Sequence, residues 1–163
     1  MATIQPLHKE HWPQVKAIYQ EGIATGHATF QQSAPEWEEW DFNHLEHSRI
    51  VALIENVVVG WAALTPVSKR PVYKGVAEVS VYVGETARGQ KIGSQLLKEL
   101  ILQSEANHIW TLQSSIFPEN TPSIRIHEHH GFRVMGRRER IAQLNGAWRD
   151  TILMERRSKT VGL

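Results

Sequence analysis

The feature that most restricts the fold of this chain is a strand that runs through a glycine-containing turn into an amphipathic helix. Val76–Val83 carries an apolar residue at every odd position, which is the period of a half-buried strand. Between residues 91 and 106 the apolar side chains recur three or four positions apart, which predicts a helix. Gly89 and Gly93 lie near the junction. A strand that leads into a helix in this way predicts a domain of mixed α/β structure.

The remaining patterns place further strands and helices on both sides of this unit. Two hairpins are predicted, through Glu55-Asn56 and through Asn145-Gly146, a dipeptide typical of two-residue turns. Ser33 followed by Glu36 matches a capping box, which predicts the start of the second helix. The predicted strands span residues 3–5, 50–54, 57–64, 76–83, 109–116, 134–144 and 147–154, and the predicted helices span 8–24, a segment after Ser33, 91–106 and 120–130. This order predicts an α/β fold of the α+β type, with about seven strands in one mixed sheet and about four flanking helices.

Length and composition limit the classes of protein to which the chain can belong. The 163 residues, 41% hydrophobic and 21% charged, predict a single domain over residues 1–155 with a polar tail over residues 156–163. Cysteine is absent, which excludes disulfides and thiolate chemistry and favours a cytoplasmic location. Lys and Arg (18) nearly balance Asp and Glu (17), so we expect no nucleic-acid partner. No apolar run predicts a signal peptide or a membrane association.

The turn before the predicted third helix places backbone N–H groups at the positive end of that helix, which can bind a phosphate. It lacks the spacing of a P-loop and of the Gly-x-Gly-x-x-Gly fingerprint, which disfavours ATP and NAD. On the turn alone, an ordinary basic turn with glycines explains the pattern equally well. Its residues are Arg88, Gly89, Gln90, Lys91, Ile92, Gly93 and Ser94.

Several segments follow one another in a fixed order along the chain. They are Val79-Ser80-Val81-Tyr82-Val83, Arg88-Gly89-x-x-Ile92-Gly93, Asn120-x-x-Ser123-x-x-x-His127 and Gly131-Phe132. Together they resemble the GCN5-related N-acetyltransferase (GNAT) superfamily. Within it, the chain most resembles the phosphinothricin and methionine sulfoximine acetyltransferases. That narrower resemblance rests on Ile18-Tyr19, Ala28-Thr29-Phe30, Glu78-x-Ser80-Val81-Tyr82-Val83, Ile126-His127-Glu128 and Gly146-x-Trp148-x-Asp150.

The resemblance implies a GNAT fold and acetyl-CoA as the acetyl donor. It implies that the pyrophosphate lies on the turn at residues 88–94 and that the pantetheine arm pairs along an unpaired edge of the strand at residues 81–83. Lys91 replaces a glycine that the family usually shows, so we expect either a right-handed backbone or slight strain there. The implied coenzyme contacts are the seven residues of the turn, Val81, Tyr82, Val83, Asn120 and Ser123.

Acetyl transfer needs a base for the amine, stabilisation of an oxyanion and a proton for the leaving thiolate. Glu78 stands at the position that the family assigns to the base, and the alternative is a strand glutamate that faces solvent. His127 stands where many members carry a tyrosine that protonates the thiolate. An equally weighted alternative is a helix histidine that packs against Phe132. By analogy with the family, the backbone N–H of Val83 or a neighbour polarises the thioester carbonyl.

The resemblance implies that the acceptor is the α-amine of a small amino acid or analogue, such as phosphinothricin, methionine sulfoximine or methionine sulfone. Arg70 and Lys74, in the loop before the strand at residues 76–83, are candidates to bind its carboxylate or phosphinate. A solvated basic loop is the alternative. Thr29 and Phe30 are expected, by resemblance, to line the same pocket. The resemblance also implies a homodimer.

Two other functions remain open from the sequence. The same donor could serve a polyamine, an aminoglycoside or a protein N-terminus, which an acidic acceptor pocket would favour. A chain of this kind could also bind acyl-CoA as a sensor without turning it over.

The histidines that begin at His127 and most of the tryptophans are expected to have structural roles. A catalytic metal is not expected, because Gly131 stands where a His-Glu-x-x-His helix that began at His127 would need its second histidine. Large aromatic residues are more often buried than exposed for stacking. Core or dimer-surface positions are therefore expected for Trp37, Trp40, Trp61, Trp110 and Trp148.

Overall fold

The computed structural model describes residues 1–163 and shows seven strands and four α-helices in the predicted order. The strands are β1 (Thr3–Pro6), β2 (Ile50–Ile54), β3 (Val57–Pro66), β4 (Val76–Val83), β5 (Thr111–Ile116), β6 (Arg133–Leu144) and β7 (Ala147–Arg157). The helices are α1 (Trp12–Ala24), α2 (Trp37–Asn43), α3 (Ile92–Ala106) and α4 (Thr121–His129). The predicted fold class is confirmed. None of the helices is both long enough and apolar enough to cross a bilayer.

All seven strands form one sheet in the order β1-β2-β3-β4-β5-β7-β6. Neighbouring strands are antiparallel except β4 and β5, which are parallel. These two strands pair only from Val76 with Thr111 to Glu78 with Gln113. Beyond that point β4 continues to pair with β3, whereas β5 pairs with β7. The sheet therefore opens into a cleft after Glu78.

Two hydrophobic clusters cover the two faces of β4. Ala77 and Val79 belong to a cluster of 17 buried residues built around α3. On the opposite face, Tyr82 packs against a cluster of 10 buried residues that includes Trp40 and Trp61, each only 1% exposed. Burying such large side chains contributes about 2–3 kcal/mol each. The expected core positions of Trp40 and Trp61 are confirmed, whereas Trp148 is 58% exposed.

The start of α2 differs from the prediction. The helix begins at Trp37, with Glu36 as its N-cap residue and no side-chain cap, so the capping box predicted at Ser33 was wrong. The Glu36 carboxylate forms an ion pair with Lys16 of α1 instead, and Pro35 biases the residue before it away from helical backbone. The first helix also starts later than predicted, because a 3₁₀ turn precedes it at Lys9–His11.

The C-terminal segment is packed against the sheet. β7 runs to Arg157, beyond the predicted strand end at Met154. The Arg157 guanidinium donates to the carbonyl oxygens of Trp110 (3.3 Å), Ser158 (3.0 Å) and Val161 (3.0 Å). Ser158 is 4% exposed, and its hydroxyl donates to Glu105 (2.9 Å). These bonds hold the segment at the end of β5 that lies away from the cleft.

Candidate functional site

A cavity of about 390 Å³ fills the opening between β4 and β5, and we call it the sheet cleft. Its walls come from β4, from β5 and the residue after it, from α4 with its N-cap, from the loop that joins α1 to α2, and from Thr151 of β7. The structure thus brings together residues from five separate parts of the sequence. Eight of the predicted site residues line it: Thr29, Phe30, Glu78, Val81, Tyr82, Asn120, Ser123 and His127.

The edge of β4 that faces the sheet cleft has no partner strand beyond Glu78. Residues 79–83 pair with β3 on their other edge only. Backbone N–H and C=O groups along the open edge can therefore pair with an extended ligand, as in the addition of a strand to a sheet. The unpaired edge expected for this strand is confirmed.

Glu78 lies at the point where β4 and β5 separate. Its Oε1 atom accepts a hydrogen bond from Nε2 of Gln113 (3.3 Å), so the neighbouring strand orients the carboxylate. Its other oxygen has no protein partner. The side chain is half-buried and lines both the sheet cleft and a second cavity. The position is compatible with the role of base, which stays a prediction.

Helix α4 presents a row of polar residues to the sheet cleft. Asn120, its N-cap, accepts a hydrogen bond from the backbone N–H of Ser123 (3.4 Å). The Asn120 amide also donates to the carbonyl oxygen of His27 in the α1–α2 loop (3.3 Å). The positions of Asn120, Ser123 and His127 are three and four residues apart, which places them on one helix face.

His127 is only 4% exposed and packs edge-on against Phe132, with 4.9 Å between the ring centroids. The expected packing against Phe132 is therefore observed, and the role of proton donor stays a prediction. Its Nδ1 atom lies 2.7 Å from the Ser123 carbonyl oxygen. Because a carbonyl oxygen can only accept, Nδ1 carries the proton of the neutral ring. The Nε2 atom is then an acceptor, buried and without a partner.

The environment of His127 disfavours the protonated form of the ring. Burial lowers the pKa of His127, although the hydrogen bond to Ser123 partly offsets this effect. A neutral ring with its proton on Nδ1 has no proton on Nε2 to give to a thiolate. In this tautomer Nε2 carries no proton, and the atom is enclosed by the protein.

The turn at residues 88–94 leaves the first N–H groups of α3 free. No side chain caps this helix, and its first hydrogen bond runs from the Gln95 N–H to the Lys91 carbonyl oxygen (3.1 Å). The preceding N–H groups have no intrahelical partner, which is the arrangement that binds phosphates. A Cβ atom added at Gly89 would meet no other atom, so space lies open in front of the turn. Arg88 and Gln90 are exposed, whereas the Ile92 side chain is buried and only its backbone could contact a ligand.

Lys91 has left-handed backbone, with φ 63° and ψ 18°. The right-handed alternative is thereby excluded, and the strained alternative holds, at a cost of about 1–2 kcal/mol. Gly89 also has a positive φ of 80°. The turn thus keeps at Lys91 the backbone conformation that glycine favours. Behind it, the hydroxyl of Ser94 lies 2.7 Å from Nε2 of His130, which joins α3 to the end of α4.

Arg149 holds the α1–α2 loop over the sheet cleft. Its guanidinium donates to the Gly26 carbonyl oxygen (2.9 Å) and lies 4.1 Å from the centroid of the Phe117 ring. Phe30 packs edge-on against Phe117, at 4.8 Å between centroids. These contacts hold the loop so that Thr29 and Phe30 line the sheet cleft. Sequence reasoning missed Arg149, because only its contacts with residues far away in the chain reveal its role.

Arg70 and Lys74 line neither the sheet cleft nor the second cavity that Glu78 lines. Their loop precedes β4, whereas the sheet opens beyond Glu78, farther along the same strand. Both residues are exposed, and the Arg70 guanidinium lies over the ring of Tyr73 at 5.6 Å. Within one chain, the structure does not bring these predicted acceptor contacts to the site.

A second cavity of about 420 Å³ adjoins the sheet cleft, and we call it the side chamber. Five residues line both cavities: Thr29, Gln31, Glu78, Ser80 and Tyr82. The side chamber is also lined by Glu39, Trp40 and Asn43 of helix α2 and by His44, the residue after it. Neither cavity has a lysine or an arginine in its lining. The combined site therefore carries negative charge from Glu39 and Glu78.

Arg49 fixes the end of α2 that forms the wall of the side chamber. It is the only buried Lys, Arg, Asp or Glu of the chain. Its guanidinium donates to the carbonyl oxygens of Leu45 (2.8 Å) and His44 (3.0 Å) and pairs with the Asp41 carboxylate. It also lies 5.1 Å from the centroid of the Trp40 ring. Sequence reasoning missed this residue as well, because a single arginine before a strand carries no local signal.

The histidines of α4 do not form a cluster of metal ligands. No group of three or more His, Asp or Glu residues is placed to hold a metal ion. His127 and His130 have separate partners, the Ser123 carbonyl and the Ser94 hydroxyl.

Comparison with known proteins identifies the family. The model of the acetyltransferase (GNAT) family matches residues 7–132. The chain belongs to the GNAT acetyltransferase family. The family resemblance and the fold predicted from the sequence are confirmed, and acetyl-CoA is the cosubstrate of this family.

Three relatives illustrate the similarity. A Bacillus subtilis protein provisionally named phosphinothricin acetyltransferase is 35% identical over 147 residues, 87% of this chain and 90% of that protein. A Pseudomonas aeruginosa L-methionine sulfoximine/L-methionine sulfone acetyltransferase is 34% identical over 83 residues, 51% of this chain and 48% of that protein. A GNAT phosphinothricin acetyltransferase from Sinorhizobium meliloti, solved with acetyl-CoA, matches with a TM-score of 0.89 and 27% identity, over 99% of this chain and 90% of that one.

Proposed function

We propose that this protein transfers the acetyl group of acetyl-CoA to the α-amine of a small amino acid or analogue, such as phosphinothricin, methionine sulfoximine or methionine sulfone. The observation that carries the proposal is the position of Glu78, where an open strand edge and two cavities meet. A donor on the strand edge and an amine from the side chamber would both come within reach of this carboxylate. The names of the relatives support an amino-acid acceptor.

The residues present fit acetyl-CoA, which supplies an activated thioester. We assign its pyrophosphate to the free N–H groups of the turn at residues 88–94, where Arg88 and Lys91 add positive charge. The open edge of β4 is suited to the pantetheine arm. Asn120 and Ser123 are assigned to the coenzyme from the α4 side of the sheet cleft.

Glu78 is assigned as the base, which accepts the amine proton directly or through a water molecule. Backbone N–H groups of the open edge, at Val83 or a neighbour, stabilise the developing oxyanion. Addition of the amine nitrogen to the thioester carbonyl would form the N–C bond and the oxyanion, and its collapse would break the C–S bond. The thiolate would be protonated by water, and Glu78 would return the amine proton to the solvent. His127 lines the sheet cleft, and the proposal assigns it no proton transfer.

We also propose that the protein acts as a homodimer in which Arg70 and Lys74 of one chain bind the carboxylate of an acceptor held by the other. An amino-acid acceptor calls for a cation, and neither cavity has one in its own lining. The loop that carries Arg70 also exposes Val67, Val72 and Tyr73, apolar surface of the kind found at protein contacts. Mixing Glu78→Gln chains with Arg70→Ala chains should restore activity in mixed dimers. Mixed dimers without recovered activity would refute the shared site.

A second candidate acceptor is a cationic amine without a carboxylate, such as a polyamine. The observation that favours it is the pair of carboxylates, Glu39 and Glu78, in a side chamber without lysine or arginine. Negative charge in a cleft attracts ammonium groups.

Release of free CoA thiol with a panel of amines tests these functions. Methionine sulfone and 3-(methylsulfonyl)propylamine form a matched pair, because they differ only in the carboxylate. We expect turnover of the amino acid and little of the simple amine; the reverse preference would establish the second candidate. Coenzyme binding without thiol release under any acceptor would identify an acyl-CoA sensor instead.

A further inference from the structure

The side chamber contains a hydrogen-bond acceptor that the proposed acetyl transfer does not use. The His44 ring is stacked on Trp40, at 4.0 Å between centroids and 18° between planes. Its Nδ1 atom lies 2.6 Å from the Trp40 carbonyl oxygen. Because that carbonyl can only accept, the proton of the neutral ring is on Nδ1. The Nε2 atom is then an acceptor, and no protein group bonds to it.

The surroundings keep this histidine neutral and in place. Burial and the charge of Arg49 lower the pKa of His44 to about 4, although the bond to Trp40 opposes this effect. Arg49 also accounts for its position, because the guanidinium binds the His44 carbonyl oxygen (3.0 Å) and lies over the Trp40 ring. Both the tautomer and the location of the ring are therefore set before any ligand binds.

The charges of the lining decide which groups the side chamber can accept. Glu39 and Glu78 supply negative charge, and no lysine or arginine lines the cavity. An anionic substituent would meet two carboxylates without a cation to pair with. A substituent that carries an N–H donor would find acceptor atoms on Glu39 and His44.

We propose that the side chamber is a specificity subsite for the side chain of the acceptor, and that it selects groups with an N–H donor through Nε2 of His44. This proposal rests on the function proposed above, since the acceptor's amine must lie at Glu78, on the wall shared by the two cavities. The Glu39 carboxylate is a second hydrogen-bond acceptor for the same N–H group. Arg49 is a positioning residue, which acts through His44 and Trp40 and does not contact the substrate.

Methionine sulfoximine and methionine sulfone provide a matched test, because the two amino acids differ by an N–H group in place of an oxygen. The chamber should favour the sulfoximine over the sulfone by about fivefold in kcat/KM, the effect of one hydrogen bond to a neutral acceptor. Phosphinothricin, whose phosphinate is an anion, should be the poorest of the three.

Three variants locate the effect at His44. His44→Phe keeps an aromatic ring but loses the acceptor, so the sulfoximine preference should fall to about one. His44→Gln places an amide oxygen near the position of Nε2 and should restore part of the preference. His129→Phe, the same change at an exposed histidine outside both cavities, should leave the preference unchanged.

Binding without turnover separates this inference from the proposed function. Trp40 lines the chamber, so its fluorescence can report equilibrium binding of either amino acid in the presence of CoA. Selective binding of the sulfoximine without acetylation would contradict the proposed function and support the subsite. Three results would overturn the subsite. They are equal dissociation constants of the wild type for the sulfoximine and the sulfone, a sulfoximine preference that survives in His44→Phe, and no binding of either compound.

Discussion

The sheet cleft and the side chamber meet at β4, but the chain builds them in different ways. On the side assigned to the donor, the proposed binding groups are mostly backbone atoms, namely those of the open edge of β4 and the first N–H groups of α3. In the side chamber they are side chains from α2, from the residue after it and from β4, and Arg49 holds the α2 wall in place. Local structure forms the first set, whereas the second depends on contacts between distant residues. We therefore expect coenzyme binding to tolerate substitutions that abolish acceptor recognition.

Glu78→Gln should produce the largest effect on activity, because Glu78 lies on the wall shared by the two cavities and is the proposed base. Loss of a general base should lower kcat by about 10³-fold, and the deficit should shrink as the pH approaches the pKa of the free amine. The affinity for CoA should stay the same, because glutamine keeps the oxygen that accepts from Gln113. Rates as a function of pH, with calorimetry for CoA, measure both quantities. Glu128→Gln, an exposed carboxylate on α4, is the control, and an unchanged pH–rate profile in Glu78→Gln would remove Glu78 from the base role.

Arg49→Met should distinguish acceptor recognition from coenzyme binding most clearly. Removing the guanidinium leaves carbonyl groups at the end of α2 and the Asp41 carboxylate without their partner, so the free energy of unfolding should fall by about 3 kcal/mol. KM for the acceptor should rise, while the Kd of CoA stays constant. Arg133→Met is the matched control, because Arg133 is exposed and its pair with Glu155 (3.4 Å) should contribute less than about 1 kcal/mol. Equal losses of affinity for CoA and for the acceptor would contradict the division between the sheet cleft and the side chamber.

The same division explains which parts of the site the sequence could predict. The strand, the turn and α3 follow from residues that are adjacent in the chain, so hydrophobic period and glycine position were enough. Family resemblance added Glu78, Asn120, Ser123 and His127, all of which line the cleft.

The side chamber left no comparable signal in the sequence. His44 and Arg49 follow α2 without a motif, and their roles arise from packing against Trp40. Ser33 shows the opposite failure, since a local capping pattern was present but the ion pair of Glu36 with Lys16 took precedence. Local patterns therefore predicted the backbone of the site better than the side chains that face the acceptor.

Protonation of His44 should destabilise the folded protein in acid. The pKa of His44 in the folded protein is about 4, below its ordinary 6.5, so the unfolded chain binds more protons between these values and folding stability falls as the pH drops below about 6.5. His44 alone should cost about 2 kcal/mol at pH 5 relative to pH 7.5. Urea unfolding of the wild type and His44→Gln at both pH values measures this cost. Part of the pH dependence should persist in the variant, because burial also lowers the pKa of His127; identical pH dependences would show that His44 does not contribute.

Lys91→Gly should give the smallest effect and should test the claim that the donor turn is specified by its backbone. Glycine relieves the left-handed strain at φ 63° but adds entropy to the unfolded chain, so the net gain in stability should be about 0.5–1 kcal/mol, or about 2 °C in Tm. Gln90→Gly is the control, because Gln90 has no positive φ and the same change should destabilise the turn. Loss of the lysine charge should raise the Kd of CoA by about threefold. Stability and coenzyme affinity would then move in opposite directions at one residue; a destabilised Lys91→Gly would mean that side-chain contacts of Lys91, and not its backbone, hold the turn.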